Sequence, residues 1–499
     1  MYHLFDSERV LSEVKNTEFS RHNDFAKLLL LYIEDFFNLE PDSLALDVRG
    51  KVKASIEVLR LLSKKELHLF YIVFPPGEEG EKIFSILECV GRLRFTQCSF
   101  LVGRIELKKP KVSFFDCEFI SNYDVLDMNL RKDKAYDDCL YQRCVFRGNV
   151  SCGSDERKER LIIRHSLFSD CKFFGRVRFE NAELQGYFVD GDPRYPSSLS
   201  RLKVENCIFQ NGFYINSQKM AYAYLTSCVF QGKFEFKQNS VDRLIFDNCN
   251  FKKISDFYAS SIRRFTLRKS IFDTFVGFEE CHFGVLPGPR RRSITPEIGI
   301  GLACFIYVTF LEFASFRGAR FNEGLDLEKI NTIEQPNFHR VFVSFAETPR
   351  ETFRMIKHAL DSHGAHIEAN KFFALEMKRR KHEFLRSRFT ADRLIYAINH
   401  RASDFGQSYL LPVMWIFVFA LSFYALCKGQ QSNMLYKIYP PANEFIAAFT
   451  EVLNEIASSV IPFKQFLRTG MEFISLIFYV VFAVLIWQVI VALKRMIRR

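Results

Sequence analysis

The triplets Cys207-Ile208-Phe209, Cys228-Val229-Phe230, Cys249-Asn250-Phe251 and Ser270-Ile271-Phe272 start 21 residues apart. A fixed period of about 20–50 residues constrains a chain more than local propensity does, because each unit must stack on the next to bury its apolar face. Further copies stand at Cys98-Ser99-Phe100, Cys117-Glu118-Phe119, Cys144-Val145-Phe146, Ser166-Leu167-Phe168, Cys171-Lys172-Phe173 and Cys281-His282-Phe283. Apolar residues fall five and three places before the small one: Leu93 and Phe95, Val112 and Phe114, Leu202 and Val204, Leu244 and Phe246, Phe265 and Leu267. Alternate apolar positions with polar residues between them are a strand signal. The period also accounts for the 56 phenylalanines among 499 residues.

Ala314-Ser315-Phe316 and Ala319-Arg320-Phe321 repeat at a spacing of five. A small residue two places before a large apolar one, every five residues, resembles the pentapeptide-repeat family over about residues 90–335. The resemblance implies a right-handed, four-sided β-helix with about four pentapeptides per coil. The large residue would then fill the interior, and Cys would serve as a small hydrophobe beside it. Strand spacing of ~4.8 Å and roughly ten coils imply a rod on the order of 50 Å.

Residues 1–90 read as an N-terminal α/β cap, with helices at Asp24 to Leu39 and Val52 to Lys65 and a turn at Pro75-Pro76-Gly77. The repeat is expected over 91–340. Beyond it, Thr348-Pro349-Arg350-Glu351 has an N-cap, a proline at the first helical position and an acid in the first turn. Phe353, Ile356 and Leu360 then fall at helical spacing, Gly364 breaks this helix, and a second runs from about His366 to Arg388. Residues 348–401 are therefore expected as a helical linker leading directly into the last segment.

That segment, 402–499, holds two uncharged apolar runs, 409–427 and 473–493. Each reaches the roughly 20 residues needed to cross hydrocarbon. Charge supports a membrane. Of the net +11, Lys371 to Arg401 carry nine Lys/Arg against three acids, Lys494 to Arg499 carry four Lys/Arg, and residues 1–370 total only +2. Basic residues at the outer flank of both runs place both termini in the cytosol by the positive-inside rule. Met1 to Phe5 lack a basic or apolar leader signal. In a reducing cytosol, disulfides are not expected.

No P-loop, GxSxG, HExxH, dinucleotide fingerprint or CxxC pair occurs. Neither an enzyme, nor a cofactor, nor a metal site is expected. Residues 442–459, between the runs, form a helical pattern with Phe445, Phe449, Val452 and Ile456 on one face and Glu444, Glu451 and Glu455 on another. Run, short helix and run is the layout of a two-span channel subunit. In a ring of subunits each Glu becomes a ring of carboxylates favouring cations, with Ser458 and Ser459 at the narrow point. An external amphipathic helix with a solvated acidic face is the other reading. Arg290, Arg291 and Arg292, in a Pro/Gly-rich excursion, are either a phosphate grip or a solvated loop.

The whole order resembles bacterial pentapeptide-repeat membrane proteins with a channel-like C-terminus, and among them the channel effectors of Hailong-type anti-phage defence. That resemblance implies an inner-membrane homo-oligomer, with a tetramer favoured. It also implies a pore held closed by single-stranded DNA oligomers from a partner nucleotidyltransferase, with depolarisation and growth arrest on opening. A membrane-anchored scaffold that binds a partner protein without conduction is the alternative. A DNA-mimicking rod would need a strongly acidic surface.

Overall fold

The computed structural model describes residues 22–47, 51–76, 83–105, 107, 111–125, 139–153, 160–189, 198–284, 301–384, 391–431, 444–458 and 467–497. The chain divides into two compact units, Met1–Thr348 and Pro349–Arg499.

The first unit is mainly parallel β-sheet. From Lys219 to Asp247 the chain runs through Lys219–Thr226, Val229–Phe230 and Phe234–Glu235, three strands in three different walls, and returns to the first wall at Ser240–Asp247. Ser240–Asp247 then pairs in parallel with Lys219–Thr226, and Ser261–Arg268 pairs with Ser240–Asp247. The partners Lys219, Ser240 and Ser261 lie 21 residues apart, the period of the triplets. Repeated parallel pairing at one sequence interval is a coil. Phe209, Phe230, Phe251 and Phe272 therefore stack ring on ring at 5.2, 4.9 and 4.4 Å. Phe100, Phe119, Phe146 and Phe173 do the same at 4.8, 4.7 and 5.0 Å in another wall. These distances follow from strand spacing, since in-register side chains cannot be nearer or further than their backbones allow.

The eight cysteines of the Cys-x-Phe triplets are all buried. In eight triplets the residue before the small one turns one corner with positive φ: Gln97, Asp116, Arg143, Asp170, Asn206, Ser227, Asn248 and Lys269. Asn and Asp tolerate this left-handed conformation best, which is why they recur there. A second corner of the same kind falls at Ser217, Gln238, Ala259 and Glu280, again at intervals of 21.

Stacking starts earlier than the expected boundary at 91. Glu66–Phe70 pairs with Arg92–Thr96, and Val73–Phe74 with Ser99–Phe100. Leu67 and Leu69 already carry the inward alternation, but no small-x-Phe triplet marks that coil. Ahead of it lie helices α1 (His22–Phe36) and α2 (Ile56–Leu62).

The second unit opens with α3 (Arg350–Ser362) and α4 (His366–Phe384), separated by Gly364 at φ +76°. Phe353, Ile356 and Leu360 are buried, and Phe353 lies 6.3 Å from Phe372. The cap differs from expectation. Pro349 is itself the N-cap and Arg350 the first helical residue. Thr348 instead turns its hydroxyl to the repeat unit, accepting from Leu325 N at 3.1 Å and donating to Ser344 O at 2.6 Å.

The expected direct run into the first apolar segment is also corrected. A further helix, α5 (Ala391–Ser403), is followed by Asp404, Phe405 and Gly406, all at positive φ. These three consecutive left-handed residues end one helix and re-aim the chain before α6 (Leu410–Gln431). Ser408 Oγ then accepts from Leu411 N at 3.2 Å, satisfying a first-turn donor of α6. α7 (Glu444–Ser458) and α8 (Glu472–Ile497) complete the unit. α6 and α8 are each long and apolar enough to cross a membrane, and they pack through Phe419, Phe423, Phe478 and Tyr479.

Candidate functional site

α7 is held to α8 by a side chain: Asn454 Oδ1 accepts the Phe473 N–H at 3.0 Å. That donor belongs to the first turn of α8, where the helix cannot satisfy it internally. Asn454 and Leu453 are half-buried, whereas Glu451 and Glu455 are exposed. Phe449 and Val452 are 55% and 52% exposed. So a third face of α7 packs on α8, while Phe449 and Val452 of the apolar face and Glu451 and Glu455 of the acidic face are exposed. Glu444 and Ser458 are the end residues of α7. Ser459 and Arg290, Arg291 and Arg292 lie outside the described residues.

A polar knot joins α5 to α8. Ser403 Oγ donates to Gln488 Oε1 at 2.8 Å, and Gln488 Nε2 donates to Asn399 Oδ1 at 2.7 Å. The same region ties α4 to the α5–α6 turn, through Lys378 Nζ on Asp404 Oδ2 at 3.0 Å and Gln407 Nε2 on the Asn370 carbonyl at 2.8 Å. Trp415 Nε1–H donates to the Arg401 carbonyl at 3.1 Å. Burial raises the Tyr396 hydroxyl above its ordinary range, with the Asp404 carboxylate adding to it. Gln488 is the one amide in the apolar run 473–493. Its partners lie 85 and 89 residues away.

In the repeat unit the parallel register builds a surface that charge totals hide. Arg201, Tyr222, Arg243 and Arg264 are successive partners along one wall, with Lys203 opposite Tyr224 on the same side. All six side chains are at least partly exposed. Tyr222 and Tyr224 stack at 4.9 Å, and Arg243 Nη1 donates to Tyr224 Oη at 3.0 Å. Lys203 is paired with Glu205 and Glu180, whereas Asp242 and Asp247 pair with Arg263 and Arg268, outside the arginine column. Tyr222 lies between Arg201 and Arg243, and Tyr224 between Lys203 and Ile245; a tyrosine flanked by guanidinium groups suits a stacked base and its phosphates.

The cysteines form no metal centre among the described residues. All are unpaired as disulfides, and no His/Cys/Asp/Glu group has the arrangement of a metal site. Burial pushes the Cys281 thiol up to about 12 and the Cys304 thiol up to about 11, far from the thiolate that nucleophilic chemistry needs. Comparison of the chain with protein families, with curated proteins and with solved structures returned no match.

Proposed function

We propose that the protein is an oligomeric ion channel of a bacterial inner membrane, gated by a single-stranded oligonucleotide on the basic wall of its repeat unit. The carrying observation is α7, which exposes Phe449 and Val452 together with Glu451 and Glu455 and stands between two span-length helices. A solitary external helix gains nothing by exposing Phe449 and Val452. In a ring, the apolar line packs on the neighbouring subunit, and the Glu444–Glu451–Glu455 line faces the axis with Ser458 and Ser459 at its end. Carboxylate rings favour cations. A symmetric tetramer is the ring favoured.

Both termini lie in the cytosol, where the basic flanks belong. The coil is right-handed, the hand favoured by parallel strand connections, and residues before Glu66 cap it. The resemblance to anti-phage channel effectors places the protein downstream of a partner nucleotidyltransferase, with depolarisation and growth arrest as the output. The oligonucleotide moves the pore only by its difference in affinity between open and closed states.

The test is cation flux from liposomes holding purified protein, with and without short single-stranded DNA. Flux that responds to the DNA and falls in Glu451→Gln/Glu455→Gln is expected. Absence of flux in both conditions refutes conduction and leaves the scaffold reading.

A further inference from the structure

α5 carries uncovered apolar side chains. Ile395 and Ile398, three residues apart and so neighbours on the helix surface, are 56% and 42% exposed. Asn399 and Ser403, four apart, hold the helix to α8 through Gln488. A helix fastened in this way turns polar residues outward where water meets it, and α5 turns out two isoleucines instead. Arg401, three residues beyond Ile398, is exposed next to them.

The level of α5 along the two long helices identifies what covers this side. Trp415 Nε1–H donates to the Arg401 carbonyl, and Trp415 stands ~8 Å along α6 from its first residue, Leu410. Gln488, bonded to Ser403 and Asn399, stands ~9 Å before Lys494, where the basic flank begins. Trp487 beside it is 63% exposed. Trp415 and Trp487 are the two tryptophans of the chain, one near the basic-flanked end of each long helix, and Trp is favoured where headgroups meet hydrocarbon. The C-terminal turn of α5 is therefore fixed at that boundary. The earlier turns stay beside it, because Ile395 lines one recess with Trp487 and Val491 of the apolar run.

We propose that α5 lies in the cytosolic leaflet of the bilayer, with Ile395 and Ile398 inserted among the acyl chains just below the headgroups. A helix so placed sinks its apolar side about 5–10 Å into the boundary, which matches the ~8–9 Å at which Trp415 and Gln488 hold it. The long stem of Arg401 lets its charge reach back to the surface. The protein then meets lipid through three helices, and the turn at Asp404 to Gly406 that leads into α6 lies within the leaflet. The inference rests on the reading that α6 and α8 cross a bilayer.

The test places the photo-crosslinker p-benzoylphenylalanine, which bonds to nearby C–H groups, singly at Ile395 and at Ile398 of the full chain. Both side chains are exposed, so neither change opens the core. The proteins are reconstituted in liposomes of phosphatidylethanolamine and phosphatidylglycerol, illuminated and read by mass spectrometry. Leu421 on α6 and Ile490 on α8, 68% and 51% exposed, are the span controls, and Ile254 on the repeat unit, 48% exposed, is the aqueous control. Lipid adducts at 395 and 398, bonded through an acyl chain and as abundant as at the better span control, are expected, with none at 254. Adducts to a second copy of the chain in place of lipid would make this side a subunit contact and overturn the proposal. Attachment through headgroup carbons alone would place α5 above the membrane and also overturns it, as does a lipid yield no higher than at 254. When Leu421 or Ile490 gives lipid adducts and the α5 positions do not, only the placement of α5 falls. When all four positions give none, the bilayer reading falls with it.

Discussion

The basic wall can be tested quantitatively. Arg201, Tyr222, Arg243 and Arg264 are consecutive rungs, so the three guanidinium groups span three strand spacings, ~14 Å. Replacing the three arginines by Gln removes three phosphate partners. For a single strand, log K falls with log salt at a slope of about −0.7 per contact, so the slope should become shallower by about 2. Tyr222→Ala acts differently: it removes a stacking face worth ~1–3 kcal/mol, or roughly 5- to 150-fold in Kd, and leaves the slope unchanged. Lys252→Gln is the control, because Lys252 follows the strand Asn250–Phe251 in the adjacent wall and is paired with Asp273 at 2.9 Å. The assay is fluorescence anisotropy of a dye-labelled short DNA strand with detergent-solubilised protein at several salt concentrations. An unchanged slope in the triple variant, or a loss in Lys252→Gln equal to that in Tyr222→Ala, would show that the ligand lies elsewhere.

Other consequences are more local. Phe246 is fully buried among Phe234, Phe251 and Phe257, with ring centroids at 5.8, 5.7 and 5.8 Å; Phe246→Ala should cost ~3–5 kcal/mol. The adjacent Asp247 points outward to Arg268 at 2.8 Å, and Asp247→Ala should cost under ~1 kcal/mol; equal losses in chemical denaturation would contradict the register. His165 is buried, and burial lowers its pKa from 6.5 to about 4. The unfolded chain then binds the proton more readily, so stability should be full above pH 6.5 and fall by up to ~3 kcal/mol on going down to pH 4. A melting curve in His165→Gln should be flatter across that window, and an identical pH profile would refute this. Finally, a reporter fused after Arg499 should be active in the cytosol and silent in the periplasm.

Much of the repeat is legible in sequence because its physics is local and periodic. A strand must alternate faces, a stacked ring must recur at the strand interval, and a left-handed corner favours Asn or Asp. Phe230, Phe251, Cys249 and Asn248 each announce their place for these reasons. The two apolar runs are equally plain, since crossing hydrocarbon is a matter of length and composition. The first coil is not legible because Leu67 and Leu69 have the alternation without the triplet. The re-aimed chain at Asp404, Phe405 and Gly406 is not legible either, because nothing in two ordinary residues before a glycine demands positive φ.

Tertiary structure alone decided the sites. Residues 1–370 are close to neutral in sum, yet pairing at intervals of 21 sets Arg201, Tyr222, Arg243 and Arg264 in one column. A charge total averages over walls, whereas a ligand meets one wall. The face of α7 that packs was set by Asn454 capping α8, a contact no helical wheel contains. The Ser403–Gln488–Asn399 knot joins residues more than eighty positions apart. Periodicity determines which way a side chain points along its own element, and only folding determines what stands opposite it.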